Sequence, residues 1–154
     1  IRQVGEATAK DLARHFGATV TGVTSAGNAD FVRRLGAERV IDYAVSDVRT
    51  LADRFDVVFD AVGNLSIASG RRLLREGGVL VLAVANLWDT LRARGGVAVG
   101  SSPERAADFE WLLQRVAAKE LTVVIDRTFP LDQISDAYRR VDGGHKRGNV
   151  IVQP

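Results

Sequence analysis

The sequence predicts an α/β fold with a doubly wound parallel sheet. Two observations predict this fold. Short, almost wholly apolar segments such as "FDVVFDAVG" and "GVLVLAVAN" are typical of strands buried on both faces of a parallel sheet. Helical segments alternate with these strands, and each parallel step in a sheet needs a crossover of that kind.

The first elements follow from apolar spacing and from glycine stops. From Glu6, apolar residues recur at i, i+3, i+4 and i+7 up to Phe16, which predicts a helix ended by Gly17. "ATVTGV" predicts a strand, and "NADFVRRLGA" predicts a helix capped by Asn28 and ended by Gly36. "RVIDY" predicts another strand, and "VSDVRTLADR" a short helix.

The later elements continue the alternation and then change character. "FDVVFDAVG" predicts a strand, "SIASGRRLLREGG" a helix with a glycine end, and "GVLVLAVAN" a second buried strand. After Asn86 the sequence predicts a short strand at "GVAVG", then a long amphipathic helix capped by Ser102. The end of the chain contains the strand "LTVVIDRTF", the helix "PLDQISDAYRRVDGG" and the strand "NVIVQ". We expect one domain over residues 1–103 and a C-terminal helix and strand segment over residues 104–154.

Composition excludes several classes of function. The 21 Lys and Arg residues are interspersed with 19 Asp and Glu residues, which gives little support for nucleic-acid binding. No run approaches the roughly 18 apolar residues of a membrane helix, so we expect a cytoplasmic protein with no membrane partner. The absence of Cys excludes disulfides and thiolate zinc sites, and His15 and His145 have no metal-ligand spacing. We therefore expect no metal site.

Four stretches together resemble one family. "VGEATAKDLARHFGATVTGVTS", "LGAERVIDY", "FDVVFDAVGN" and "VIDRTFPLDQISDAYRRVDGGHKRGNVIV" resemble the medium-chain dehydrogenase/reductase superfamily, nearest its zinc-independent quinone-oxidoreductase-like branch. The resemblance covers nearly the whole chain, in order. It implies that residues 1–103 form an N-terminally incomplete, Rossmann-like NAD(P)-binding domain, and that residues 104–154 return to a barrel-like catalytic domain. It also implies a small-molecule substrate.

The glycine-rich turn is incomplete in this sequence. In the family an apolar strand and several glycines precede the first helix, and here only "IRQVG" occupies that place. Gly5 matches the last glycine, whereas Arg2 and Gln3 stand where the family usually has glycine. Since these glycines let the backbone and the helix N-terminus approach the pyrophosphate, we expect the chain alone to bind cofactor weakly or not at all and to be inactive.

The end of the second family strand indicates which cofactor is preferred. NAD-preferring sites place Asp or Glu there to bind the ribose 2′-OH, whereas this chain has Thr24 and Ser25. The resemblance implies that Tyr43 lies beside the adenosine 2′-phosphate, so we expect NADP(H) rather than NAD. Gly27 and Asn28 replace the Arg or Lys common in the family, which weakens the expected phosphate clamp. The alternative is that Thr24 and Ser25 are simply turn residues.

Two further groups of candidate residues follow the next two strands. Ligands of open α/β sheets bind at the carboxyl ends of strands, so we expect Ala61, Val62 and Gly63 to line the nicotinamide-ribose side. We expect the same of Ala83 and Val84. Val62 as an ordinary core residue is the alternative, whereas glycine at position 63 would permit close backbone approach.

Other polar residues have weaker claims to function. By resemblance His145 would lie near the cofactor or the interdomain cleft, but a solvated turn histidine is the alternative, and we expect His15 to be only solvated. We expect Asp126 and Arg127 to pair locally. No residue is identified as a catalytic acid, because in such enzymes hydride transfer is the chemistry of the cofactor.

Three functions remain open from the sequence. The first is the NADPH-binding portion of an oxidoreductase that transfers hydride to a quinone, an enone or a related carbonyl compound. The second is a noncatalytic binding or interaction module, and the third a methyltransferase-like domain, which would need an acidic residue after the second strand. Because the missing strand would be the central one, we expect its gap to be closed by Ile1 to Val4 or by self-association. Dimerisation through the sheet edge near Val97, common in the family, is a second route to a homodimer.

Overall fold

The computed structural model describes residues 17–84, 87–99, 105–144 and 146–154. The chain divides into two compact units, Ile1–Glu104 and Arg105–Pro154. Several sequence predictions lie outside the described residues: the first helix, Gly5, the segment from Ile1 to Val4, the Ser102 cap and both histidines. Within the described residues, no helix is long and apolar enough to cross a bilayer.

The first unit contains two parallel sheets and short helices. One sheet pairs β1 (Thr21–Thr24) with β2 (Arg39–Asp42). The other has the order β3-β4-β5, with β3 at Phe55–Asp60, β4 at Leu74–Leu82 and β5 at Val97–Val99. The helices are α1 (Ala29–Arg34), α2 (Ile67–Arg72) and α3 (Leu87–Arg92). Because all pairings are parallel and helices connect the strands, the predicted α/β fold with a parallel sheet is confirmed.

The two sheets are separate in the described part of the chain. There, β1 pairs only with β2, and β3 pairs only with β4. The predicted gap between these strands, its closure by the N-terminal residues and self-association through it all stay predictions.

The core of the first unit lies where helices cover one face of each sheet. Leu35, Ala37 and Ile41 are buried against the first sheet. In the second sheet Leu80 is completely buried, and α2 approaches it through Gly70. A Cβ at position 70 would lie 2.6 Å from both Leu80 Cδ atoms, so only glycine allows this helix and strand to pack so closely.

The face of the second sheet that points away from α2 is more exposed than the sequence predicted. Val57 and Phe59 on β3 are 56% and 39% exposed, although β3 was predicted to be buried on both faces. Alternate residues of a strand point to opposite faces, and α2 packs against the face that carries Leu80. The prediction is therefore wrong for the face that carries Val57 in the described structure.

Local hydrogen bonding changes two predicted elements. "VSDVRTLADR" forms only a 3₁₀ turn at Val48–Thr50 instead of an α-helix. The Asp47 carboxylate accepts hydrogen bonds from the backbone N–H and the guanidinium of Arg49, which closes a tight turn. The predicted helical tail "LLREGG" mostly belongs to β4, because Leu74 pairs with Phe55 across the sheet.

The second unit is built around a parallel strand pair. Its elements are α4 (Ala106–Ala117), β6 (Ile125–Pro130), a 3₁₀ turn (Leu131–Gln133), α5 (Ile134–Asp142) and β7 (Asn149–Gln153). Strands β6 and β7 pair in parallel, and α5 connects them. Phe129 and Ala137 are buried between the helix and the strands.

A partly buried ion pair joins three parts of the second unit. Asp126 on β6 accepts two hydrogen bonds from the Arg140 guanidinium of α5, at 2.7 and 2.8 Å. It also accepts one from the backbone N–H of Arg147, at 2.8 Å. The predicted pairing of Asp126 with Arg127 is wrong, since the Arg127 guanidinium lies over the Phe129 ring.

Candidate functional site

Three candidate residues meet at the carboxyl ends of β1 and β2. Thr24 ends β1, Ser25 follows it, and Tyr43 directly follows β2. The backbone N–H of Tyr43 donates to the Thr24 carbonyl at 3.2 Å, which ties the two strand ends together. Tyr43 is 62% exposed. The structure therefore brings together the three residues that the sequence assigned to the adenosine 2′-phosphate.

Charged groups near these strand ends are engaged in local hydrogen bonds. The Arg33 guanidinium pairs with Asp30 on its own helix at 2.9 Å. Asp42, opposite Thr24 in the strand register, turns one carboxylate oxygen to the backbone N–H of Ala44 at 2.9 Å. Asp42 is a carboxylate that sequence reasoning overlooked, because that reasoning considered only the end of the preceding strand.

The second group of candidates lies at the carboxyl ends of β3 and β4. The loop that follows β3 begins with Ala61, and Ala83 donates its backbone N–H to the carbonyl of Asp60 at 2.9 Å. Gly63 has a φ of +84°, which favours glycine. A Cβ at this position would lie 3.1 Å from Val84 Cγ1. The loops after β3 and β4 therefore contact each other where the sequence predicted the nicotinamide side.

Two of these candidates are half exposed. Val62 and Val84 are 47% and 49% exposed, so Val62 is not the ordinary core residue of the alternative interpretation. Their apolar side chains can form a surface for a ring or a ribose. Cofactor contact by Ala61, Val62, Gly63, Ala83 and Val84 stays a prediction.

Asp60 lies beside this candidate group, and sequence reasoning gave it no role. It is the last residue of β3 and is only 7% exposed. Its carboxylate accepts hydrogen bonds from the backbone N–H groups of Val62, Gly63 and Leu65. An acidic residue between an apolar strand and a glycine-containing turn is the sequence signal that could have indicated this role.

One surface hollow lies apart from these loops. A hollow of about 320 Å³ is lined by residues of α2, α3 and the turn before α2: Ser66, Ile67, Ala68, Arg71, Asp89 and Arg92. It shares no residue with the candidate cofactor groups. No set of three or more His, Cys, Asp or Glu side chains in the described ranges could hold a metal.

Comparisons with known proteins agree with this architecture. The family profile described as zinc-binding dehydrogenase matches residues 35–152. A quinone-oxidoreductase homolog of the chloroplast of Spinacia oleracea is 32% identical over 159 residues, which cover 95% of this chain and 48% of that protein. An NADPH-dependent alkenal/one oxidoreductase of the chloroplast of Arabidopsis thaliana is 28% identical, over 93% of this chain and 36% of that protein.

A solved structure extends the agreement to three dimensions. The quinone oxidoreductase from Coxiella burnetii superimposes with a TM-score of 0.81 and 25% identity, over 98% of this chain and 49% of that one. The chain thus spans about half the length of that structure and of the spinach relative, and about a third of the Arabidopsis relative. Both plant relatives are named as chloroplastic, so the expected cytoplasmic location stays a prediction.

The family name implies zinc, and the part of the chain that the structure describes offers no group of ligands for it. The chain has no Cys, and the described residues contain no suitable cluster of other ligands. We therefore derive no step through zinc from these residues. The match to the family profile also argues against the methyltransferase alternative. Because that profile covers most of the chain, and the quinone-oxidoreductase resemblance is confirmed, the chain belongs to the zinc-binding dehydrogenase family of the medium-chain dehydrogenase/reductase superfamily.

Proposed function

We propose that this chain is the NADPH-binding part of an oxidoreductase that reduces a quinone, an enone or a related carbonyl compound. The observation that supports this most directly is the position of the candidate residues. They form two groups at the carboxyl ends of parallel strands, which is where open α/β sheets bind their ligands. The substrate class is proposed from the names of two relatives, a quinone-oxidoreductase homolog and an alkenal/one oxidoreductase.

The residues around the nicotinamide side would orient the cofactor. NADPH, when bound, supplies the hydride. Ala61, Val62, Ala83 and Val84 offer small or apolar side chains that exclude water from one side of a ring, and Gly63 leaves room for the backbone to approach. None of these five residues carries a group that could donate a proton, so their contribution is position and desolvation.

The residues at the ends of β1 and β2 would set the preference for NADPH. Thr24, Ser25 and Tyr43 offer neutral hydroxyl groups where an NAD-preferring site would have a carboxylate. The Arg33 guanidinium pairs with Asp30 and so offers no strong cationic clamp, and the preference is therefore proposed from the neutral hydroxyl groups alone. The name of the Arabidopsis relative, which specifies NADPH, supports the same preference.

Association and the activity of the chain alone belong to the same proposal. In the described part of the chain β5 is an edge strand that pairs only with β4, which leaves an edge for a homodimer. Because the chain spans about half the length of its relatives, we propose that it binds NADPH weakly and is inactive on its own. A noncatalytic module is the rival function.

The test is a cofactor titration of the full-length gene product, followed by a turnover assay. NADPH and NADH are titrated by fluorescence, and NADPH oxidation is then followed with p-benzoquinone and with methyl vinyl ketone. We expect NADPH to bind more tightly than NADH and at least one acceptor to be reduced. Tight binding without any turnover would favour the noncatalytic module, and equal or tighter NADH binding would contradict the NADPH preference.

Two variants of Ser25 test whether this residue lies beside the 2′-phosphate of NADPH. Ser25→Asp places a carboxylate at the end of β1, and we expect it to weaken NADPH binding about tenfold through like-charge repulsion. NADH binding should be unchanged or improved. Ser25→Asn is the matched neutral control, and an equal loss in both variants would show that Ser25 acts only as a turn residue.

A further inference from the structure

The carboxylate of Asp60 has an unusual set of partners. One oxygen accepts hydrogen bonds from the backbone N–H groups of Val62 and Gly63, each at 2.9 Å. The other oxygen accepts one from Leu65 at 2.7 Å. None of the ion pairs among the described residues involves Asp60. Three backbone dipoles therefore compensate this buried carboxylate for its lost hydration.

The same residue fixes both loops of the nicotinamide side. Its side chain holds the loop after β3. Its backbone carbonyl accepts the N–H of Ala83, which is the first residue of the loop after β4. The two loops also meet where Gly63 lies against Val84. The relative position of the two loops therefore depends on hydrogen bonds that converge on Asp60.

A second aspartate on the same strand shows what a surface carboxylate does there. The side chain of Asp56 is 76% exposed and pairs with the Arg75 guanidinium at 2.6 Å. It accepts no hydrogen bond from a loop amide among the described contacts. Burial and loop contacts thus distinguish Asp60 from a neighbour of identical chemistry, which makes Asp56 a matched control.

We propose that Asp60 is a positioning residue, which holds the loop of residues 61–65 in the form that receives the nicotinamide half of the cofactor. The inference rests on the proposed function and deepens it, because Asp60 acts through the loop and does not touch the reacting atoms. Asp60→Asn preserves the size of the side chain. Its amide nitrogen cannot accept a hydrogen bond, so at least one of the three loop N–H groups loses its acceptor.

The test compares two ligands in the full-length gene product. The wild type, Asp60→Asn and Asp56→Asn are titrated with NADPH and with adenosine 2′,5′-bisphosphate, which lacks the nicotinamide half. We expect Asp60→Asn to raise the Kd for NADPH about tenfold, as the loss of a charge-assisted hydrogen bond predicts. The Kd for the fragment should change by less than about twofold, within the scatter of surface substitutions. Asp56→Asn should behave as the wild type for both ligands.

Hydrogen exchange supplies a readout that is independent of binding. In Asp60→Asn the backbone amides of Val62, Gly63 and Leu65 should exchange faster than in the wild type, because their acceptor is weakened. Unchanged exchange at all three amides would show that the carboxylate does not hold the loop and would overturn the proposal.

Each outcome of the titration decides a separate point. A wild type that does not bind NADPH removes the proposed function and this inference with it. NADPH binding that is equal in the wild type and Asp60→Asn overturns the inference alone, and so does an equal loss for both ligands, which indicates a general folding defect. If Asp60→Asn does not fold, Asp60→Glu replaces it, since it keeps the charge but displaces the loop. Failure of both variants to fold would show that Asp60 serves folding, and the positioning role would be wrong.

Discussion

Substitution of Asp126 tests how much its ion pair with Arg140 stabilises the second unit. The Asp126 side chain is only 8% exposed, and the Arg140 guanidinium and the Arg147 backbone N–H hold it as a carboxylate. These partners, Arg140 first, lower the pKa of Asp126 from 3.8 to about 2. Asp126→Asn removes one acceptor and the negative charge that the partly buried Arg140 guanidinium faces.

The expected loss of stability follows from that pKa. A pKa unit is worth about 1.4 kcal/mol, so the shift corresponds to about 2 kcal/mol. The Arg140 side chain is 32% exposed, and solvent screens part of the attraction. We therefore expect Asp126→Asn to lower the free energy of unfolding by about 1–2 kcal/mol at neutral pH.

The pH dependence of this loss has a definite sign. The folded-state pKa of Asp126 is depressed, so its contribution is fully present above the unfolded pKa, near 4, and is lost as pH falls toward 2. By pH 3 about half of the contribution should be gone. The difference between the wild type and Asp126→Asn should shrink accordingly.

Urea denaturation of the full-length gene product, followed by circular dichroism at several pH values, measures this difference. Asp136→Asn is the control, because Asp136 also pairs with an arginine of α5 but lies exposed on the helix surface. Its effect should stay below about 0.5 kcal/mol. An Asp126→Asn loss no larger than the control, or a loss that does not shrink from pH 7 to pH 3, would refute the reasoning.

Four further substitutions, one of them a control, test the local structure of the first unit. Gly70→Ala forces a methyl group against Leu80 and should cost about 1–3 kcal/mol in thermal unfolding, whereas Gly27→Ala, with open space around it, should be nearly neutral. Gly63→Ala adds a Cβ at a φ of +84°, which costs about 1–2 kcal/mol; NADPH titration should show weaker binding. Ser66→Ala removes a capping box at α2 and should cost about 1 kcal/mol in the same unfolding assay.

Elements with a strong local pattern could be predicted from the sequence. "NVIVQ" forms β7 over Asn149–Gln153 as predicted, and "FDVVFD" forms β3. Runs of apolar and β-branched residues favour strands through their local sequence alone. The boundaries that failed depend on distant partners, since Leu74 joins β4 through its pairing with Phe55. Such pairing has no local signal.

Side-chain partners were harder to predict than strands. Asp126 and Arg127 are neighbours in sequence, but the pairing of β6 with β7 shifts register between Ile125 and Arg127. Asp126 meets Arg140, which α5 brings back across the strand pair, and no local sequence signal predicts that contact. The location of the candidate site could be predicted from the sequence, because ligands of open parallel α/β sheets bind at the carboxyl ends of the strands. The hydrogen bonds of Asp60 depend on the conformation of a loop, and no spacing rule encodes them.

Asp60 and Asp126 together bear on where the chemistry of the protein resides. Both carboxylates are shielded from solvent, and each accepts three hydrogen bonds from groups that hold loops or helices in place. A general base must have a lone pair directed at the proton it removes, whereas the lone pairs of these two groups are engaged by the protein itself. The contacts of these two carboxylates are therefore structural, since they hold loops and helices in place. Under the proposed function, rigid loops would orient the cofactor, NADPH would supply the hydride, and the proton donor would be a group other than these two carboxylates.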